Sequence, residues 1–195
     1  MNNKTIRRMT VTAMLTAVAV ALQYIEISIP IMPSFIKLDF SDLPELIGAF
    51  VCGPVHGVIV ALLKNLIHLP VSQSAFIGEL SNFLMGAVFA LVAGLIYQRK
   101  RTVANAAVAG VCGALAMALV GLPINYFVIY PLYYSVLGLP ETTILDMYRL
   151  ILPSIKNMIQ ALIIFNVPFT FVKGMISVLV SVVMHKHLFK LINKL

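Results

Sequence analysis

Charged residues are scarce in this chain of 195 residues: they make up 11% of it, against roughly 25% in a typical soluble domain. Only seven residues are acidic. Because 61% of the residues are hydrophobic and the mean hydropathy is +0.99, the polar side chains are too few to cover a globular surface. The composition therefore excludes a soluble enzyme or binding domain and predicts that lipid is the solvent of this protein.

Sequence motifs of known catalytic chemistry are also missing. The chain has no phosphate-binding glycine loop, no zinc-binding His-Glu-x-x-His pair, no Gly-x-Ser-x-Gly nucleophile elbow and no aspartate-rich metal motif. We therefore expect no enzymatic activity, no ATP hydrolysis, no bound metal and no cofactor. The two cysteines, Cys52 and Cys112, lie in apolar stretches without metal-ligand spacing, and we interpret them as buried thiols.

Long apolar segments fill most of the chain. A helix needs about 20 residues to cross the hydrocarbon core of a bilayer, so six crossings would use most of the sequence. We therefore predict an all-α integral membrane protein with six transmembrane helices, forming a single domain over residues 1–195. No small-residue cleavage site follows the first apolar run, so we expect no cleavable signal peptide.

Basic residues cluster at three places, and these clusters predict the topology. The clusters are Lys4, Arg7 and Arg8; Arg99, Lys100 and Arg101; and Lys186, Lys190 and Lys194 with His185 and His187. Lys and Arg are enriched in cytoplasmic segments, so we place all three clusters and both termini in the cytoplasm. This role, rather than binding to nucleic acid, explains the net charge of +7. An even number of crossings must then separate neighbouring clusters.

The dipeptide Gly53-Pro54 divides one apolar segment in two, which makes the number of crossings between the first two clusters even. Three long apolar segments separate the first two clusters, but proline removes a backbone donor and disfavours helix at the residue before it. We therefore divide the segment from Asp42 to His68 into two short antiparallel helices. At the start of the first one, Asp42 to Glu45 resembles a capping box. The six predicted helices cover about residues 5–25, 42–53, 54–69, 79–97, 103–130 and 168–189.

Three proline-containing segments are predicted to lie on the outer side of the membrane. Residues 25–40 and 70–78 form the first two outer loops. Residues 131–167, between the fifth and sixth helices, are interrupted by three prolines. We predict an outer loop there with two short surface helices, Thr142 to Leu152 and Ser154 to Phe165. The alternative is that residues 154–167 dip into the membrane.

Polar residues inside the apolar segments converge near the outer side in this topology. Lys64 and Lys173 are surrounded by apolar residues. A lysine at the centre of a spanning helix costs roughly 2.5–3.5 kcal/mol, so such a residue usually faces a cavity, a partner charge or a ligand. The segment of Lys173 contains no acid, which favours contact with a ligand. The other members of the predicted pocket are Asn65, His68, Glu79, Asn82, Asn125 and Thr170.

Several of these assignments have alternatives. Lys64 could pair with Glu79 and only hold the bundle together, and Asn125 could bridge a helix kink. The aromatic residues between 126 and 134 could form an interfacial belt or a stacking surface for a planar ligand. A stand-alone proton-coupled transporter, which is a different function, would use Lys64, His68 and Glu79 as a proton relay.

The first helix carries alanines at every fourth position: Ala13, Ala17 and Ala21. Small residues at this spacing let membrane helices approach closely. We therefore predict a partner helix, either inside this protein or on another one.

The order of these motifs resembles that of the substrate-capturing S components of energy-coupling factor (ECF) transporters, most closely the riboflavin-specific members. The motifs that carry the resemblance span nearly the whole chain. They are Leu38–Gly48, Phe50–Gly57, Leu63–His68, Gly78–Gly86, Asn125–Phe127 and Pro168–Gly174.

This resemblance implies the six-helix S-component fold, in the cytoplasmic membrane of a bacterium. It implies that a vitamin binds at the outer side, beneath the first outer loop. It also implies three partner subunits: a transmembrane coupling subunit, on which the face of Ala13, Ala17 and Ala21 docks, and two cytoplasmic ATPases that drive release of the vitamin.

The resemblance further implies which residues contact the ligand. By motif, the flavin-contacting positions fall on Asn125 and Lys173. The further candidates are Asp39, Phe40, Lys64, Glu79, Asn82 and Thr170. Thr170 stands where the family carries an asparagine, so the choice between riboflavin and FMN stays open. Another vitamin or a vitamin precursor is the alternative ligand.

Overall fold

The structure, a computed structural model, describes residues 3–192, with side chains described as far as His185. Lys194 of the third basic cluster therefore lies outside the described residues, as do the side chains of Lys186, His187 and Lys190. The helices are α1 Asn3–Gln23, α2 Asp42–Val51, α3 Pro54–His68, α4 Ile77–Tyr97, α5 Val103–Ile124, α6 Tyr130–Val136, α7 Glu141–Ile151, α8 Met158–Ala161 and α9 Val167–Ile192.

Short irregular elements connect these helices. A π turn, Asn125–Ile129, joins α5 to α6, and a second, Leu162–Asn166, joins α8 to α9. A 3₁₀ turn, Leu69–Val71, follows α3. Between α1 and α2, strands β1 (Ile27–Ser28) and β2 (Lys37–Leu38) pair antiparallel, so the first loop is a folded hairpin.

Five helical segments are long and apolar enough to cross a membrane within the described part of the chain. They are Asn3–Gln23, Pro54–Val71, Ile77–Tyr97, Val103–Val136 and Met158–His185. The second predicted helix, at residues 42–53, is the short helix α2 of ten residues, which at 1.5 Å per residue gives a length of about 15 Å. The predicted all-α membrane fold is confirmed, with one short helix in place of a full crossing.

The break between α2 and α3 lies at Gly53-Pro54, where the sequence predicts it. Gly53 has a φ of +112°, a conformation that side chains with a Cβ rarely adopt. Pro54 is the first residue of α3, where an N–H would have no partner inside the helix. The dipeptide therefore turns the chain by local chemistry alone.

Two helices continue past prolines at which the sequence predicts that they end or begin. The fifth predicted helix ends near residue 130 and the sixth begins at 168, yet the helical segments run to Val136 and from Met158. In each, a π turn ends two residues before a proline, Pro131 or Pro168. The ring of a proline clashes with the carbonyl of residue i−4, and the wider turn removes this clash, so the helix continues.

The segment between the fifth and sixth predicted helices therefore differs in part from the prediction. A short helix is present where one is expected, as α7. The second short helix is wrong, because residues from Met158 onward belong to the last membrane-crossing segment. Residues 158–167 thus belong to a long helical segment that has the length and composition of a membrane crossing, and do not form a separate dip.

A tightly packed apolar core fills one half of the bundle. Its largest buried side chains include Phe50, Phe89, Tyr97 and Met117. Small residues let the helices approach: a Cβ on Gly94 of α4 would lie 2.8 Å from Pro54 of α3. Both cysteine thiols are free; Cys52 is buried, and Cys112 is partly exposed instead of buried as expected. A second apolar cluster, around Tyr130, Tyr148 and Ile155, packs in the other half of the bundle.

Candidate functional site

A cavity of about 460 Å³ opens at the end of the bundle where the hairpin loop and the 3₁₀ turn after α3 meet. We call this cavity the pocket. Its volume lies within the range of roughly 300–1,000 Å³ that small-molecule sites occupy. Aromatic rings form part of its wall: Phe35, Tyr130, Tyr133 and Phe169. Amide and charged groups form the rest, so the pocket suits a ligand that has both an apolar face and polar edges.

Six of the eight predicted ligand contacts line the pocket: Asp39, Glu79, Asn82, Asn125, Thr170 and Lys173. The structure does not bring the other two, Lys64 and Phe40, to its surface. The Lys64 side chain is fully buried, because three polar residues of the α2 region surround its ammonium group. Phe40 is half-buried behind the loop, and Phe35 of the same loop supplies an aromatic ring instead.

Two lysines and three acids form a buried cluster beside the pocket, which we call the charge cluster: Asp39, Asp42, Glu45, Lys64 and Lys173. Lys64 Nζ lies 2.6 Å from Glu45 Oε1 and 3.4 Å from Asp42 Oδ1. Lys173 Nζ lies 2.9 Å from Asp39 Oδ2 and 3.4 Å from Asp42 Oδ1. Asp42 therefore bridges the two lysines, and three carboxylates with two ammonium groups give a formal charge of −1.

The alternative ion pair between Lys64 and Glu79 is wrong, and Lys173 has an acidic partner from outside its own segment. Lys64 pairs with acids of α2 and not with Glu79. Glu79 instead lies 2.9 Å from Nδ1 of His68. Lys173 does have an acidic partner, Asp39, which the hairpin loop brings to it from 134 residues away. The three-residue proton relay loses its geometric basis, because Lys64 is separated from the His68–Glu79 pair.

The capping box expected at the start of α2 is also wrong. Ser41 occupies the N-cap, and no side chain caps the helix there. The Glu45 side chain is fully buried and points to Lys64. The attraction of a buried ammonium group outweighs a single hydrogen bond to a helix N-terminus, so tertiary packing determines where this acid goes.

Asp39 stays ionised in this surrounding. Burial alone would raise the pKa of its carboxyl, but the charges of Lys173 and Lys64 more than offset burial and hold the pKa well below its usual range. The backbone N–H of Ser41 also donates to Asp39 Oδ1, at 2.8 Å. The ion pair between the hairpin loop and α9 is therefore present at neutral pH.

Three groups on another wall form a closed set of hydrogen bonds. Tyr148 Oη donates to Asn166 Oδ1 at 2.7 Å, and Asn166 Nδ2 donates to Tyr130 Oη at 3.1 Å. The two tyrosine hydroxyls also bond to each other. Asn166 was not predicted from the sequence, although a lone polar residue two positions before Pro168 in an apolar run was an available signal.

Gly86 of α4 gives the charge cluster the space it needs. A Cβ at this position would lie 2.9 Å from Cδ of Glu45 and closer still to one of its oxygens. We expect Gly86→Ala to lower the free energy of unfolding by about 1–3 kcal/mol, as overpacking does. Thermal unfolding in detergent measures the effect.

The matched control is Gly121→Ala, whose Cβ would first meet the flexible Met85 sulfur, at 3.0 Å. Its melting temperature should fall less than that of Gly86→Ala. Equal melting temperatures for wild type and Gly86→Ala would contradict the position of the Glu45 carboxylate.

The small-residue face of α1 is exposed. Ala13, Ala17 and Ala21 all lie on the surface, whereas Thr12, Thr16, Ala19 and Gln23 on the other side are buried. Within the described residues, no helix of this chain covers the alanine face. If the alanines serve helix packing, the partner helix therefore belongs to another protein.

Known proteins resemble this chain over almost its full length. The model of the family "ECF transporter, substrate-specific component" matches residues 7–185. The riboflavin transporter RibU of Staphylococcus aureus is 32% identical over 97% of this chain and 94% of its own length. The riboflavin transporter FmnP of Bacillus subtilis is 28% identical over 82% of this chain and 86% of its own length.

A solved structure agrees with these matches. It is described as the structure and mechanism of the S component of a bacterial ECF transporter, and it superimposes with a TM-score of 0.73 at 33% identity. The superposition covers 94% of this chain and 95% of the solved one. The resemblance noted in the sequence motifs is confirmed: this chain is a multi-pass membrane protein that belongs to the substrate-specific (S) components of ECF transporters, a family of transport proteins and not of enzymes.

Proposed function

We propose that this protein is the riboflavin-capturing subunit of an ATP-driven ECF vitamin transporter. The pocket is the observation that carries the proposal, because it combines aromatic rings with amide groups and one lysine in a volume of about 460 Å³. The isoalloxazine ring of riboflavin is planar and largely apolar, with a polar imide edge and a chain of hydroxyl groups. Riboflavin enters as the transported ligand and not as a cofactor.

Six of the predicted residues have roles in this proposal. Asn125 and Thr170 hydrogen-bond the polar edge of the ligand, and Lys173 donates to its carbonyl oxygens. Glu79 and Asn82, which also line the pocket, bind the hydroxyl chain. Lys64 does not contact the ligand; it acts indirectly, because it holds the acids of α2 in place.

The proposed orientation places the pocket on the outer side of a bacterial cytoplasmic membrane. Both termini and the basic residues 99–101 then lie in the cytoplasm, in accord with the positive-inside rule. The Ala13, Ala17 and Ala21 face docks on the transmembrane coupling subunit, which accounts for its exposure. Two cytoplasmic ATPases supply the energy, since this sequence has no ATP-binding motif of its own.

The charge of the pocket favours riboflavin over FMN. Its lining contains Glu26, Asp39, Asp42 and Glu79 but only two lysines, Lys37 and Lys173, so the formal charge is −2 with histidine neutral. A phosphate group near pH 7 carries a charge of about −1.5 to −2. This charge would be repelled by the excess of carboxylates, so we expect FMN to bind more weakly than neutral riboflavin.

Titration calorimetry of the purified protein tests the proposal and the ligand preference together. We expect binding heat with riboflavin, a weaker affinity for FMN, and none with thiamine, a vitamin of different shape. Protein that has been freed of endogenous ligand by unfolding and refolding, or by dialysis, is required for the titration. Absence of binding heat with riboflavin would contradict the proposed ligand, and equal affinities would contradict the role of the pocket charge.

A further inference from the structure

The side-chain amide of Asn166 lies at the pocket and is fixed by hydrogen bonds to two tyrosines. It is the last residue of the π turn Leu162–Asn166, and its side chain lines the cavity. Its Oδ1 accepts from Tyr148 Oη at 2.7 Å, and its Nδ2 donates to Tyr130 Oη at 3.1 Å. Each end of the amide is bound to a tyrosine hydroxyl, so the two hydrogen bonds hold the plane of the amide in place.

These hydrogen bonds use only part of the hydrogen-bonding capacity of the Asn166 amide. The single hydroxyl proton of Tyr148 goes to Asn166, so Tyr130 must donate the bond between the two tyrosines. An amide has two N–H donors and an oxygen that accepts two hydrogen bonds. After one of each is used, Asn166 keeps one N–H and one acceptor site for a ligand.

Tyr148 holds Asn166 without reaching the pocket itself. It lies on α7, its side chain is fully buried, and it is absent from the pocket lining. Phe35 and Phe165 pack against its ring, with centroids 6.3 Å and 5.4 Å away. Burial, and then the neighbouring Tyr130 hydroxyl, raise the pKa of Tyr148, so it remains a neutral donor at all physiological pH values.

We propose that Asn166 is a specificity-determining ligand contact, and that Tyr148 is a positioning residue that acts through it. The inference rests on the proposed function, since it takes the ligand to be a flavin. The imide edge of isoalloxazine places a carbonyl acceptor beside an N–H donor. An amide with one donor and one acceptor left matches that edge, and it rejects an edge whose nitrogen carries no proton.

A double-mutant cycle tests whether Tyr148 acts through Asn166. Riboflavin affinity is measured by quenching of flavin fluorescence for wild type, Tyr148→Phe, Asn166→Ala and the double variant. We expect each single variant to bind about tenfold more weakly, the size of effect that loss of one hydrogen bond gives. In the Asn166→Ala background, Tyr148→Phe should change the affinity less than twofold.

The control variant is Tyr126→Phe, which removes a hydroxyl from a partly exposed tyrosine that does not line the pocket. It should bind riboflavin as wild type does. Should Asn166→Ala fail to fold, Asn166→Asp replaces it, because aspartate keeps the acceptor for Tyr148 and removes the amide donors.

A second readout separates specificity from folding. Wild type should discriminate strongly against riboflavin methylated at the imide nitrogen, and Asn166→Ala should lose most of this discrimination. Equal weakening by Tyr148→Phe in both backgrounds, or unchanged discrimination in Asn166→Ala, would overturn the inference while riboflavin binding by wild type stands. No riboflavin binding by wild type would overturn the proposed function, and this inference with it.

Discussion

Replacing Lys64 by methionine will destabilise the protein more than any other single change considered above. Its ammonium group is fully buried between Glu45 and Asp42, whose side chains are almost inaccessible as well. Removing one partner of a buried ion pair leaves an uncompensated charge and costs about 3–5 kcal/mol. Thermal unfolding in detergent should show a lower melting temperature and a loss of folded protein.

Two further variants show whether charge is the cause. Lys64→Met combined with Glu45→Gln removes one charge of each sign and should recover a large part of the lost stability. Lys37→Met removes a lysine that pairs with Glu26 at a partly exposed site, where an ion pair contributes only about 0–1 kcal/mol. An unchanged melting temperature for Lys64→Met would contradict the charge cluster.

Replacing Lys173 by alanine will weaken riboflavin binding by about 10- to 100-fold, since hydrogen bonds to a charged group contribute about 1.5–3 kcal/mol. Lys173 lines the pocket and holds the Asp39 carboxylate of the hairpin loop. Without the lysine, Asp39 loses its nearest counter-charge, and its carboxylate repels the carbonyl oxygens of the ligand. Calorimetric titration of riboflavin measures the change in affinity.

Lys173 can act by touching the ligand or only by holding Asp39, and a double variant separates the two. If it only pairs with Asp39, then Lys173→Ala with Asp39→Asn should bind riboflavin as wild type does. Direct contact predicts that the double variant stays weak, which is the outcome we expect. Lys37→Ala at the pocket rim is the matched control and should change the affinity less than threefold; unaltered affinity in Lys173→Ala would remove this residue from the site.

Local chemistry made several features predictable from the sequence. Gly53-Pro54 breaks a long apolar run because glycine reaches a positive φ and proline starts a helix, and the structure has the break at that dipeptide. The isolation of Lys64 and Lys173 in apolar segments indicated that each faces a cavity, a partner charge or a ligand. Both lysines do have partners in the structure, in the half of the bundle that contains the pocket.

The identity of those partners could not be predicted, because it depends on contacts between distant segments. Asp39 and Lys173 are 134 residues apart, and only the folded hairpin brings them together. Glu45 fits a capping box locally but lies beside Lys64 once α2 packs on α3. Asn166 was missed for a related reason: prolines were taken as helix ends, whereas a π turn lets the helix continue past Pro168 and brings Asn166 to the pocket.

Uptake of labelled riboflavin into vesicles tests the central claim most directly. The protein is reconstituted with a transmembrane coupling subunit and two ATPases. Accumulation of riboflavin is followed without ATP, with ATP inside the vesicles, with ATP outside them, and in the presence of a protonophore. The account predicts riboflavin accumulation that requires ATP and the coupling subunits and that persists when the proton gradient is collapsed. Accumulation by this protein alone, abolished by the protonophore, would contradict it.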